Sequence, residues 1–86
     1  MKLVLCRKCQ DVVRLMKEPR RCQCGLTSGN YTDDVNAIYA GEFAVPLGFA
    51  NGSLVAAIGC QPESGPTGSR FTAFVIPKIC HTFVKQ

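Results

Sequence analysis

The chain has 86 residues, 47% of them hydrophobic, and a formal net charge of +4. That length allows one domain with one modest core, and that apolar share excludes wholesale disorder. No stretch approaches the roughly 20 apolar residues that cross a bilayer, so no membrane partner is expected.

Met1 to Leu5 is a short apolar lead-in carrying one charge, too short for the apolar region of a signal peptide. A chain that is not exported is expected in the cytoplasm, where thiols stay reduced and paired cysteines hold metal more often than they form disulfides. The first pair follows at once as Cys6-Arg7-Lys8-Cys9. Val12-Val13-Arg14-Leu15-Met16 then reads as a returning strand, with a turn near Lys17-Glu18-Pro19. The second pair, Cys22-Gln23-Cys24, is followed by Gly25, a residue free to take the positive φ that a metal knuckle needs. Residues 1–26 therefore read as a zinc ribbon.

Thr27-Ser28-Gly29-Asn30 has the composition of a turn and is expected to link that ribbon to a body spanning residues 27–86. Val35 to Tyr39 and Glu42 to Leu47 flank Ala40-Gly41 at a spacing suited to a tight hairpin. Pro46, without an amide hydrogen, predicts that the second of these strands lies at a sheet edge or ends there. A helix is expected near residues 51–59, since Leu54, Ala57 and Ile58 share one face. Asn51 or Ser53 would cap it and Gly59 would end it. Residues 61–69 contain two prolines and two glycines and predict a long irregular loop. Phe71 to Ile76 is the clearest strand, closed by Pro77, and the tail from Lys78 is only partly apolar. The fold class is α+β: a small β-rich domain, with an N-terminal zinc ribbon on an antiparallel sheet and one short helix.

Four sites could carry chemistry. Cys6, Cys9, Cys22 and Cys24 can converge four thiolates on one tetrahedral Zn²⁺. Such a shell leaves no open position for a substrate water, so the ion would be structural. Reduced core cysteines or disulfides are the alternative. Cys60, Cys80 and His81 are spare potential ligands, with Cys60 and Cys80 more in keeping with small apolar packing; a bridge between them stays open.

The turn Gly48 to Ser53 leaves the first amides of a helix open, and these with the helix dipole can hold an anion at Asn51, Gly52 and Ser53. An ordinary capped helix is the plainer reading. The loop Ser64 to Arg70 offers Thr67 and Ser69 as hydroxyl donors, while Arg70 can grip a phosphate bidentately. Together these six residues form a candidate site for a nucleotide-type small molecule, enclosed if two copies of the chain associate as a homo-oligomer.

Charge adds a fourth candidate. Residues 1–25 carry a net +5, residues 26–65 a net −4 and residues 66–86 a net +3. The ribbon should thus present a basic face, and Arg7, Lys8, Arg20 and Arg21 could grip a nucleic-acid backbone. No aromatic side chain accompanies them in residues 1–25 for base stacking. The single histidine, His81, forms no recognisable acid–base or nucleophile pair, so no enzyme activity is expected.

Several strings carry a resemblance across nearly the whole chain. They are Cys6-x-x-Cys9…Cys22-x-Cys24-Gly25, Tyr31-Thr32-Asp33-Asp34-x-Asn36-Ala37-x-Tyr39, Pro46-Leu47-Gly48-Phe49-Ala50-Asn51 and Phe71-x-Ala73-Phe74-Val75-Ile76-Pro77-Lys78. The chain resembles a group of short uncharacterised proteins of bacteria and bacteriophages. That resemblance transfers no site residue. It implies a small accessory protein of phage type, one that could sequester a nucleotide messenger of host defence or inhibit a host enzyme.

Overall fold

The computed structural model describes residues 1–86 as eight strands and one helix. In chain order these are β1 (Lys2–Cys6), β2 (Val12–Arg14), β3 (Arg20–Arg21), β4 (Ser28–Tyr31), β5 (Ala37–Ala40), β6 (Ala44–Phe49), α1 (Asn51–Gly59), β7 (Ala73–Val75) and β8 (Phe83–Lys85). The α+β class holds, but the strands form two sheets, ordered β2-β1-β6-β7 and β3-β4-β5-β8. All pairings are antiparallel except β5 with β8.

Alternation explains which side chains meet. Along β2, Val12 and Arg14 are exposed while Val13 is buried, and along β5, Ala37 and Tyr39 are buried between half-buried neighbours. The first sheet contributes Val4, Cys6 and Val13 to a single core, with Leu15 just beyond β2. Ala37, Tyr39 and Phe83 of the second sheet join Cys22 on the other side. The ribbon and the body share this core, and β1 pairs with β6 along its whole length.

Three local expectations are corrected. Thr27 to Asn30 is no linker: Ser28 begins β4, which lies between β3 and β5. Gly29 is needed there for contact rather than turning, because a Cβ would lie 2.9 Å from the Ile38 carbonyl and 3.1 Å from Leu15 Cδ2. Polar turn formers thus build a strand where the core requires a small residue.

Ala40-Gly41 is not the turn of a hairpin either. The chain crosses there from one sheet to the other, and Gly41 has φ +125° with the Leu26 carbonyl where a Cβ would stand.

Pro46 lies inside a sheet, not at an edge. The Phe49 amide donates to the Met1 carbonyl and the Arg7 amide to the Phe43 carbonyl, so bonded pairs alternate and Val4–Pro46 is a non-bonded pair. The proline nitrogen therefore faces the β7 side, one step beyond the last β7 residue. Its carbonyl still accepts from the Ile76 amide at 2.9 Å. Only one ladder bond is lost, at a place where the ladder is ending.

The tail, expected to be only partly apolar, enters the core. Phe83 is fully buried, its ring edge-to-face with Tyr39 at 5.0 Å between centroids. Replacing Phe83 with Ala should destabilise the fold by about 3–5 kcal/mol, the usual cost of emptying a buried aromatic site. Urea unfolding followed by far-UV circular dichroism measures this.

Candidate functional site

The two cysteine loops fold alike. In the first, the Cys6 amide donates to the Asp11 carbonyl at 2.9 Å, and in the second the Cys22 amide donates to the Thr27 carbonyl at 2.9 Å. Each loop spans six residues, Cys6 to Asp11 and Cys22 to Thr27, although one encloses Cys-x-x-Cys and the other Cys-x-Cys. The residue after each second cysteine takes a left-handed conformation: Gly25 has φ +81° and Gln10 has φ +62°. Gly25 was expected to do so. Gln10 was not, though its place immediately after Cys9 is the signal that would have found it. The loops are also tied together, because the Gln23 amide donates to Asp11 Oδ2 at 2.8 Å.

All four sulfurs lie within 4.8 Å of one another. Cys6 and Cys24 Sγ are 3.7 Å apart, and Cys22 and Cys24 Sγ 3.5 Å apart. Four sulfurs at about 2.3 Å from a tetrahedral ion stand about 3.8 Å from each other, so this arrangement can hold a metal ion. The Thr27 amide donates to Cys22 Sγ at 3.3 Å, the N–H to sulfur contact that steadies a thiolate ligand. Cys6 and Cys22 are buried, Cys9 is half-buried and Cys24 is exposed, so the centre is reached from one side.

Electrostatics agree with a site able to hold a cation. The Thr27 side chain, then the Cys9 and Lys8 amides, draw the Cys6 thiol down to about 6 despite its burial. Thr27 Oγ1 is buried beside Cys6 and makes no hydrogen bond of standard geometry to any group. At Cys24 the Leu26 amide pulls downward, but burial and the sulfurs of Cys22, Cys9 and Cys6 outweigh it, and the thiol is pushed up to about 12. Four thiolates this close cannot all ionise unless a positive ion sits among them.

Elsewhere the expected site residues separate. Asn51, Gly52 and Ser53 open α1, but the cap is Ala50 and no side chain caps the helix. Asn51 Oδ1 instead accepts from the Met1 ammonium at 2.8 Å. Ser53 Oγ donates to the Ala50 carbonyl at 2.8 Å and accepts from the Thr72 amide at 2.9 Å. Ser69 is at the other end of α1, donating to the Cys60 carbonyl at 2.6 Å. The segment from Ser69 to Thr72 thus runs back along the helix, which sets Ser69 at the opposite end of α1 from Asn51 and Ser53. Cys60 and Cys80 are both free. Cys80 packs half-buried against the core as expected, whereas Cys60 is exposed at the end of α1, beyond the reach of the core.

The basic side chains of the ribbon are held from beneath. The Arg7 and Lys8 cationic groups lie 5.9 and 5.7 Å from the Phe43 ring centroid, and Arg7 Nη2 donates to the Glu42 carbonyl at 3.1 Å. Arg20 donates to the Arg14 carbonyl at 2.7 Å and Arg21 to the Gly25 carbonyl at 3.4 Å. Arg7 also borders a cleft of about 450 Å³ between the two sheets, which sequence reading missed. Its floor includes Tyr39, Val45, Pro46 and Ile76, and its rim carries Lys78, Lys85 and Glu42. These residues come from five separate stretches of chain, so no local pattern marks them.

Compared with protein-family models, curated proteins and solved structures, the chain matches none. No helix is long and apolar enough to cross a membrane.

The purified reduced chain should carry about one metal ion, and Cys22→Ser should lose it, as elemental analysis will show. Each kcal/mol lost with the ion would lower the melting temperature by roughly 4–8 °C. Acid should act in the same direction. Cys6 is lowered from 9.0 to about 6 on folding, so its contribution to stability is complete above pH 9.0 and vanishes as pH falls through about 6. Protons also compete directly for sulfur, so a chromogenic chelator should collect the ion below that range and not at pH 8.

Proposed function

We propose that this chain is a non-enzymatic binding domain whose ribbon is held by a structural Zn²⁺, and that it takes a phosphate-bearing small ligand in the cleft between its sheets. Zinc is the fitting ion, since tetrahedral all-thiolate sets of this spacing suit it and four protein ligands close its shell. The metal then organises the surface and does no chemistry.

The cleft is the observation that carries the binding reading. It combines an apolar floor, on which a base or other flat ring can rest, with Arg7, Lys78 and Lys85 at its edge for phosphate oxygens. Arg7 is already oriented by Phe43 and the Glu42 carbonyl, which reduces the entropy lost on binding. This keeps the ligand class expected from the sequence and moves it from the start of α1 to the junction of the first knuckle with the C-terminal segments. The expected setting, a phage-type protein that sequesters a nucleotide messenger in a bacterial cytoplasm, fits a stoichiometric binder with this cleft.

Calorimetric titration against a panel of cyclic and linear nucleotides tests the reading. Heat from at least one is expected, with Arg7→Ala/Lys85→Ala weakening it by roughly tenfold or more, the loss of one or two charge-assisted bonds. Glu42→Gln should tighten binding about two- to fivefold by removing a like charge near the phosphate. No heat from any nucleotide ends the proposal. Binding that instead extends to any DNA or RNA and falls steeply with salt would favour nucleic-acid contact through Arg7, Lys8, Arg20 and Arg21.

A further inference from the structure

Thr27 is a polar residue with none of its surface exposed. Its three hydrogen-bonding groups are divided unequally. The amide donates to Cys22 Sγ at 3.3 Å and the carbonyl accepts from the Cys22 amide at 2.9 Å, so the backbone serves the second cysteine loop. The hydroxyl lies beside Cys6, in the first loop, and forms no hydrogen bond of standard geometry. No other buried side-chain oxygen or nitrogen in the chain is left in that state. Burying a hydroxyl without a partner is costly, and native interiors rarely retain one.

The fold also prevents this residue from finding a partner elsewhere. Gly41 packs so closely against the backbone that a Cβ there would lie 3.1 Å from Thr27 Cα. On its other side Thr27 leads directly into Ser28, the first residue of β4. Backbone contacts on both sides therefore fix the hydroxyl at the cysteine cluster.

The acceptor at hand is the Cys6 sulfur. A neutral thiol accepts weakly, whereas a metal-bound cysteine is a thiolate and accepts strongly. Exposure explains why Cys6 needs a donor from the protein. Cys24 is exposed and Cys9 half-buried, so water can solvate the charge on their sulfurs, but Cys6 and Cys22 are buried. We infer that Thr27 is a positioning residue of the metal centre, its hydroxyl donating to the Cys6 thiolate once an ion is held while its amide donates to Cys22. One residue then steadies both buried ligands and joins the two loops through the ion. The inference rests on the reading of the cluster as a metal site and is independent of the ligand cleft.

Cobalt(II) and zinc binding to the full reduced chain tests it. Cobalt reports its sulfur ligands through a sulfur-to-metal charge-transfer band, and competition with a chromogenic chelator reports zinc affinity. Thr27→Val keeps the shape and removes the hydroxyl. It should bind zinc roughly tenfold more weakly, the lower end of the usual loss when a ligand's outer partner is removed. Its cobalt band, read at saturating metal, should move to longer wavelength, because a sulfur freed of a hydrogen bond gives up charge more readily. Thr27→Ser should keep the parent's affinity and band. Thr27→Ala, which differs from Thr27→Ser by the hydroxyl alone, should behave as Thr27→Val does, and this second pair decides the matter should valine not be accommodated. Weaker binding with an unmoved band marks a packing role and overturns the inference. So does a Thr27→Val chain that matches the parent, or a Thr27→Ser chain that matches Thr27→Ala. A parent chain that takes up neither cobalt nor zinc overturns the metal reading itself, and this inference with it.

Discussion

Four sulfurs held within 4.8 Å of one another constrain everything around them. To reach that separation, two short loops must turn back after their second cysteine, which places Gln10 and Gly25 in left-handed backbone and brings Asp11 and Thr27 onto the loop amides. The same closure sets where β1 ends, where β4 begins and how the two sheets meet, because Cys6 and Cys22 are members of the core as well as of the cluster. With an ion among the thiolates, the metal-binding free energy becomes folding free energy. Without one, Cys24 stays protonated, its thiol pushed up to about 12 by burial and the neighbouring sulfurs.

What the sequence disclosed follows the distance over which each feature is encoded. The cysteine spacing, the helix at 51–59 and the strands at 12–14 and 73–75 are written in runs of adjacent residues and were legible. Features decided by remote neighbours were not. Gly29 and its polar companions look like a turn until Leu15 and the β5 backbone arrive from elsewhere. Pro46 looks like an edge marker until the alternation of bonded pairs with β1 shows which side its nitrogen faces. Phe83, in a tail that mixes polar and apolar residues, gives no local sign of being fully buried.

The binding surfaces divide along the same line. Arg7 and Lys8 were identified from the charge of the ribbon, but Phe43, the ring beneath them, lies more than thirty residues away. The helix N-terminus and the Arg70 loop were chosen for local chemistry, and the fold spends that chemistry internally: Asn51 on Met1, Ser53 on Thr72, Ser69 on Cys60. A small domain has few polar groups to spare, and those at the ends of its only helix are used to fasten a long loop.

The parallel strand β8 has a consequence for synthesis. β5 can pair with β4 as soon as both have left the ribosome, but its other edge and the ring of Tyr39 must wait for Phe83, which is translated more than forty residues later. During that interval the knuckle loops are already out and able to capture their ion, while the Tyr39 side of the core still lacks its cover. The nascent protein thus passes through a stage in which its inorganic fastening can be made before its oily one. Any trigger factor or holdase that meets it would find the unfinished side on the second sheet.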